Sequence, residues 1–149
     1  MNAHKPRDHH PTSTETINMM NSSRERALII MAHGSRRTEA NEEFFNLVKK
    51  VDQTASGENK RYRLVLPALL EQAPPTLLEA CKSLPDSITD IDVYPLFFNQ
   101  GRHVEKDIPA QVAEVMDVLT DKNVQLLKYF GQSEGMAALV LNHIAEQTD

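Results

Sequence analysis

At 149 residues, 40% of them apolar and 25% charged, the chain has the size and composition of one ordinary globular domain with a core of its own. A formal net charge of −5 excludes the basic surface of a general nucleic-acid binder, and no run approaches the ~20 apolar residues of a membrane helix. The single cysteine, Cys81, excludes an intramolecular disulfide and fits the reducing cytoplasm.

Residues 1–26 combine His4, His9, His10, Pro6 and Pro11 with Ser, Thr and Asn, and have no apolar segment of the kind a secretory signal needs. Such a composition predicts a flexible polar tail, its histidines incidental, ahead of a domain spanning 27–149. The run Ala27-Leu28-Ile29-Ile30-Met31 is continuously apolar, as in a strand buried on both faces, and His33-Gly34-Ser35 follows as a turn. Ala40, Phe44, Leu47, Val48 and Val51 recur at helical spacing and predict an amphipathic helix over 38–53, with a polar loop over 54–60.

The alternation then continues. A second strand is predicted over 62–66 with Pro67 at its end, and Pro74-Pro75 opens a short helix through Leu77, Leu78 and Cys81, the thiol on its apolar face. A third strand is expected over 90–97. A helix follows, marked by Ile108, Val112, Val115 and Leu119, then a fourth strand over 124–130 and a last helix with Met136, Leu139, Val140 and Ile144 on one face. Strands alternating with helices imply right-handed crossovers, hence an α/β, flavodoxin-like domain with a four-stranded parallel sheet flanked by helices.

In such a sheet, ligands bind beyond the carboxyl ends of the strands. The residues found there are His33, Ser35, Arg36 and Arg37 after strand one, Glu71 after strand two, and Arg102 and His103 after strand three. Taken singly, a loop histidine is an ordinary surface residue, and Glu71 is a solvated or helix-start carboxylate. Their joint placement after three successive strands points instead to a divalent transition metal, held by the imidazoles of His33 and His103 with a carboxylate beside them. No G-x-G-x-x-G or G-x-x-x-x-G-K-[ST] is present, and Ser35 stands outside any G-x-S-x-G elbow, so nucleotide and serine-hydrolase sites lack support. A two-metal hydrolase would need more carboxylates on the rim.

At these residues the sequence resembles the small-form sirohydrochlorin chelatases, the CbiX-type cobaltochelatases and their iron-inserting relatives. The matching pieces are Ala32-His33-Gly34-Ser35-Arg36 with Glu39-Ala40-Asn41, then Leu70-Glu71, then Pro95-Leu96-Phe97-Phe98, Gly101-Arg102-His103-Val104 and Asp107-Ile108-Pro109. The chain departs from the family pattern at Pro74, where an acidic residue often stands, and at Ser133 or Glu134, where many members carry a histidine.

The resemblance implies a chelatase-like fold and a cytoplasmic lyase that inserts Co²⁺ or Fe²⁺ into sirohydrochlorin, in cobalamin or siroheme biosynthesis. Nickel-inserting relatives exist as well. The metal is substrate, and no tightly bound cofactor is implied. Longer members carry two such domains, so a chain of this length is expected to pair as a homodimer, with no nucleic-acid or membrane partner. His33 and His103 take the family's metal-site positions, and Glu71 takes that of its active-site glutamate. For the tetrapyrrole's carboxylates the expected contacts are Ser35, Arg36, Arg37 and Arg102. The competing expectation is a carrier that binds metal or tetrapyrrole on the same residues without turnover.

Overall fold

In the computed structural model, which describes residues 25–55 and 60–149, the first strand, β1 (Glu25–Ala32), lies inside a four-stranded sheet. Its companions are β2 (Leu64–Leu69), β3 (Ile88–Pro95) and β4 (Asn123–Leu126), in the order β2-β1-β3-β4 with every pairing parallel. This is the doubly wound arrangement that the sequence predicts.

Three α-helices, α1 (Thr38–Thr54), α2 (Leu77–Lys82) and α3 (Ile108–Val118), connect the strands, and α4 (Met136–Glu146) follows β4. Because successive residues of a strand point to opposite faces, β1 supplies two cores at once. Ala27, Ile29 and Met31 pack with Leu77, Cys81, Ile108 and Val115 beneath α2 and α3. Leu28 and Ile30 pack on the other face with Val48 and Val51 of α1.

Midway along β3, beside Leu28 of β1, Asp92 is 3% exposed, yet it is satisfied. The Tyr62 hydroxyl donates to it at 2.6 Å, and the Arg26 guanidinium stands 3.8 Å away. Burial first, and the Asp92 hydrogen bond second, push the Tyr62 phenol up to about 12. Burial alone pushes the Cys81 thiol up to about 11. Cys81 is therefore a core residue, as its place on an apolar helix face predicts.

Several boundaries differ from the sequence expectation, each for a physical reason. β1 includes Glu25 and Arg26, so the last two residues of the expected tail belong to the sheet; the expectations for residues 1–24 and for 56–59 of the polar loop lie outside the described residues. β2 runs two residues later than predicted at its start and continues through Pro67, which an edge strand tolerates because its outer side needs no donor. The prolines precede α2 instead of opening it. The Pro74–Pro75 bond is cis, and Thr76 is the N-cap, its hydroxyl accepting from Glu79 N–H at 3.1 Å. β3 ends at Pro95, and β4 stops at Leu126, with residues 130–132 forming a 3₁₀ turn.

The last helix departs most from expectation. α4 has no buried residue, and Leu139, Val140, Leu141 and Ile144 are all exposed. Between α1 and α4, over Leu28 and Ile30 of β1, Tyr94 of β3 and Leu96 just beyond it, lies an apolar cleft of about 610 Å³ that Phe98 and Phe130 also line.

Candidate metal centre

The site is built by the loops that leave the carboxyl ends of β1, β2 and β3. Pairing between β1 and β2 continues past both strands. Leu70 N–H donates to the Ala32 carbonyl at 2.9 Å, and Glu71 N–H to that of His33 at 3.1 Å. This extension carries Glu71 alongside His33. Gly34 turns the chain away at φ +92°, and any Cβ there would overlap the Glu71 carbonyl oxygen, so the close approach of the two loops requires glycine.

Two side chains that face inward fix the loops. Asn41, from the first turns of α1, is 8% exposed and clamps Ser35: its Oδ1 accepts from Ser35 N–H at 2.9 Å, and its Nδ2 donates to the Ser35 carbonyl at 2.8 Å. From α3, Gln111 Nε2 donates to the Leu70 carbonyl at 3.1 Å. Asn41 belongs to a piece that carries the resemblance, but the clamping task of either residue is not evident from the sequence, since a polar position on an amphipathic helix reads as solvent-facing.

The third loop brings His103 at the start of a single π-helical turn, His103–Asp107, that leads into α3. His33 Nε2 lies 3.2 Å from His103 Nε2 and 3.1 Å from Glu71 Oε1. The three ligand atoms fall within 4.8 Å of one another. The ring planes of the two histidines cross at 71° with centroids 4.7 Å apart.

The remote nitrogens determine the tautomers. His33 Nδ1 is 3.0 Å from the Gly34 carbonyl and His103 Nδ1 is 2.7 Å from Asp107 Oδ2. Carbonyl and carboxylate oxygens accept, so the tautomers with the proton on Nδ1 satisfy both contacts, and in them each Nε2 is the nitrogen left to coordinate a cation. His33 and Glu71 are about half exposed, 47% and 46%, and His103 is 40% exposed, so the donors sit at an open rim and not in a sealed cage.

Around them, the other predicted residues divide. Arg36 reaches across the rim and donates from Nε to Gln72 Oε1 at 3.0 Å, leaving its terminal nitrogens outward. Gln72 itself takes φ 75°, the one non-glycine residue in the left-handed region among those described. The Ser35 hydroxyl is engaged locally, accepting from Arg37 N–H at 3.0 Å, so its structural part is in the turn. Arg37 and Arg102 are exposed at the amino ends of α1 and of the π turn.

Two imidazoles and a carboxylate converging beyond the carboxyl ends of a doubly wound sheet have the donor set and spacing of a divalent transition-metal site in an α/β protein. The family model described as CbiX matches residues 27–147 of the sequence, and the chain belongs to the CbiX family.

Among its relatives is a chloroplastic sirohydrochlorin ferrochelatase of Arabidopsis thaliana, 35% identical over 91 residues; the match covers 58% of this chain and 37% of that protein. A sirohydrochlorin cobaltochelatase of Sulfurisphaera tokodaii is 27% identical over 123 residues, covering 80% of this chain and 91% of the relative. The fold is also that of the sirohydrochlorin chelatase SirB from Bacillus subtilis subspecies spizizenii, solved in complex with cobalt. Its TM-score is 0.68 at 23% identity, covering 82% of this chain and 50% of SirB. The chain therefore spans half or less of two of these relatives and nearly the whole of the third.

Proposed function

We propose that the chain is a metal chelatase that inserts Co²⁺ or Fe²⁺ into sirohydrochlorin, the activity named for its ferrochelatase and cobaltochelatase relatives. The observation that carries this is the meeting of His33 Nε2, His103 Nε2 and Glu71 Oε1 within 4.8 Å at the ligand-binding edge of the sheet. Metallation exchanges one M²⁺ for the two N–H protons of the free-base ring. The two imidazoles hold the ion at the rim, and Glu71, 3.1 Å from His33 Nε2, accepts one proton. An imidazole that has released the ion accepts the other through its freed Nε2. Arg36, Arg37 and Arg102 supply positive charge for the ring carboxylates. Neither a nucleotide nor a tightly bound cofactor enters this scheme.

The working assembly is a homodimer. The apolar cleft beside α4, where Leu139 is 57% exposed, is the surface suited to a second copy. The cytoplasm is the assigned compartment, supported by the lone free thiol of Cys81.

The deciding experiment mixes the purified protein with sirohydrochlorin under anaerobic conditions and follows the absorption spectrum with Co²⁺, Fe²⁺ and Ni²⁺ separately. Metallation faster than the uncatalysed control, and its abolition in a folded His103→Ala variant, is the expected result. Tight binding of metal without acceleration would make the protein a carrier.

A further inference from the structure

We propose that Asp107 is the positioning residue of the metal centre: it holds the His103 ring so that Nε2 faces His33. The geometry is direct, with Asp107 Oδ2 at 2.7 Å from His103 Nδ1. The two residues open and close the one π-helical turn, and Ile108 N–H completes that turn by donating to the His103 carbonyl. Ile108 is fully buried, so the carboxylate is anchored one residue from the core beneath α3. A rigid path therefore runs from core to carboxylate to the remote nitrogen of the ring.

Asp107 has an obvious alternative task, capping α3, since it occupies the N-cap position. It makes no side-chain capping hydrogen bond there, and its carboxylate is committed to the imidazole. The partner histidine is held differently. The acceptor for its Nδ1 is the Gly34 carbonyl, a neutral group of the backbone. The pair is thus asymmetric: His103 has the charged acceptor, and a carboxylate behind a ligating imidazole both fixes the tautomer and raises the ring's basicity as a ligand. The two-fold freedom of an imidazole about χ2 is the freedom that Asp107 removes.

This inference rests on His103 being a metal ligand, as the chelatase reading requires, but not on turnover. Its test is a Co²⁺ titration of wild type, Asp107→Ala and Asp107→Asn, by calorimetry and by the visible cobalt absorption, with no tetrapyrrole present. Circular dichroism and urea midpoints establish that each variant is folded. Asp107→Ala is expected to weaken cobalt binding by roughly 10–100-fold and to alter the cobalt spectrum. Asp107→Asn, whose Oδ1 still accepts from Nδ1–H, should recover part of both.

Wild-type affinity and spectrum in a folded Asp107→Ala protein would overturn the proposal. If alanine at 107 prevents folding, the asparagine variant decides. Its cobalt affinity, intermediate or unchanged, then supports or overturns the role. Loss of cobalt affinity in the variants, with no metallation by wild type, would leave Asp107 in place and remove only the chelatase. Absence of cobalt binding by wild type would overturn both.

Discussion

Replacing Gly34 with alanine forces a methyl group into the junction of the β1 and β2 loops. The new Cβ would overlap the Glu71 carbonyl oxygen, stand 3.1 Å from the Glu71 carbonyl carbon and 3.3 Å from Leu69 Cβ. None of these is the end of a flexible side chain that could swing aside. The residue must also hold φ +92°, which costs an L side chain about 1–2 kcal/mol, and overpacking against backbone adds roughly 1–3 kcal/mol. The expected loss is therefore about 2–5 kcal/mol. With a urea slope of roughly 2 kcal/mol/M, the unfolding midpoint should fall by about 1–2.5 M.

The functional part is separable. Relief of the overlap moves the Glu71 backbone away from His33, so cobalt affinity should drop by about tenfold, ~1.4 kcal/mol. Glu71→Gln is the control: the side chain is 46% exposed, so the midpoint should stay near wild type while cobalt binding weakens. Urea denaturation followed by circular dichroism, with calorimetric cobalt titration, reads both effects. An alanine variant with wild-type midpoint and wild-type cobalt affinity would refute the reasoning, since it would mean that the loops do not need their close approach.

Two further outcomes follow from the fold. Leu139→Glu, at a position 57% exposed on α4 and lining the cleft, should convert a dimer into a folded monomer in light scattering, whereas a wild type that is already monomeric at micromolar concentration would remove the second copy from the cleft. Stability should fall as pH rises from about 9 towards 12: the Cys81 thiol is raised to about 11 and the Tyr62 phenol to about 12, so the unfolded chain loses these protons first. The Cys81 share is on the order of 2 kcal/mol and should vanish in Cys81→Ala, and a wild-type urea midpoint unchanged between pH 8 and 11 would contradict it.

The site was legible in the sequence because a parallel α/β sheet collects the loops after its strands on one rim. His33, Glu71 and His103 could be grouped without any contact being known. What holds them was not legible. Asn41 occupies a helix position that reads as solvent-facing, yet it is buried against Ser35. Asp107 sits where a regular helix start was expected, and the spacing from His103 acquires meaning only through the π turn. Pro67 read as the end of a strand because a ladder donor is normally needed, and only the edge position of β2 explains its place inside. For α4, periodicity reveals that one face is apolar but says nothing of which surface meets it, and within one chain much of that face meets none.

The three donor atoms come from loops far apart along the chain, seventy residues separating the two histidines. Under the proposed function an unfolded chain could not hold them together around a cation, so cation loading and folding would form a single linked equilibrium. At a cobalt concentration one hundred times the dissociation constant, the native state gains about 2.7 kcal/mol over the unfolded one. Under that function the free concentration of the metal substrate would set how much of this protein stays folded as well as how much is loaded, so a metal-starved cell would hold a more easily unfolded, more readily degraded chain.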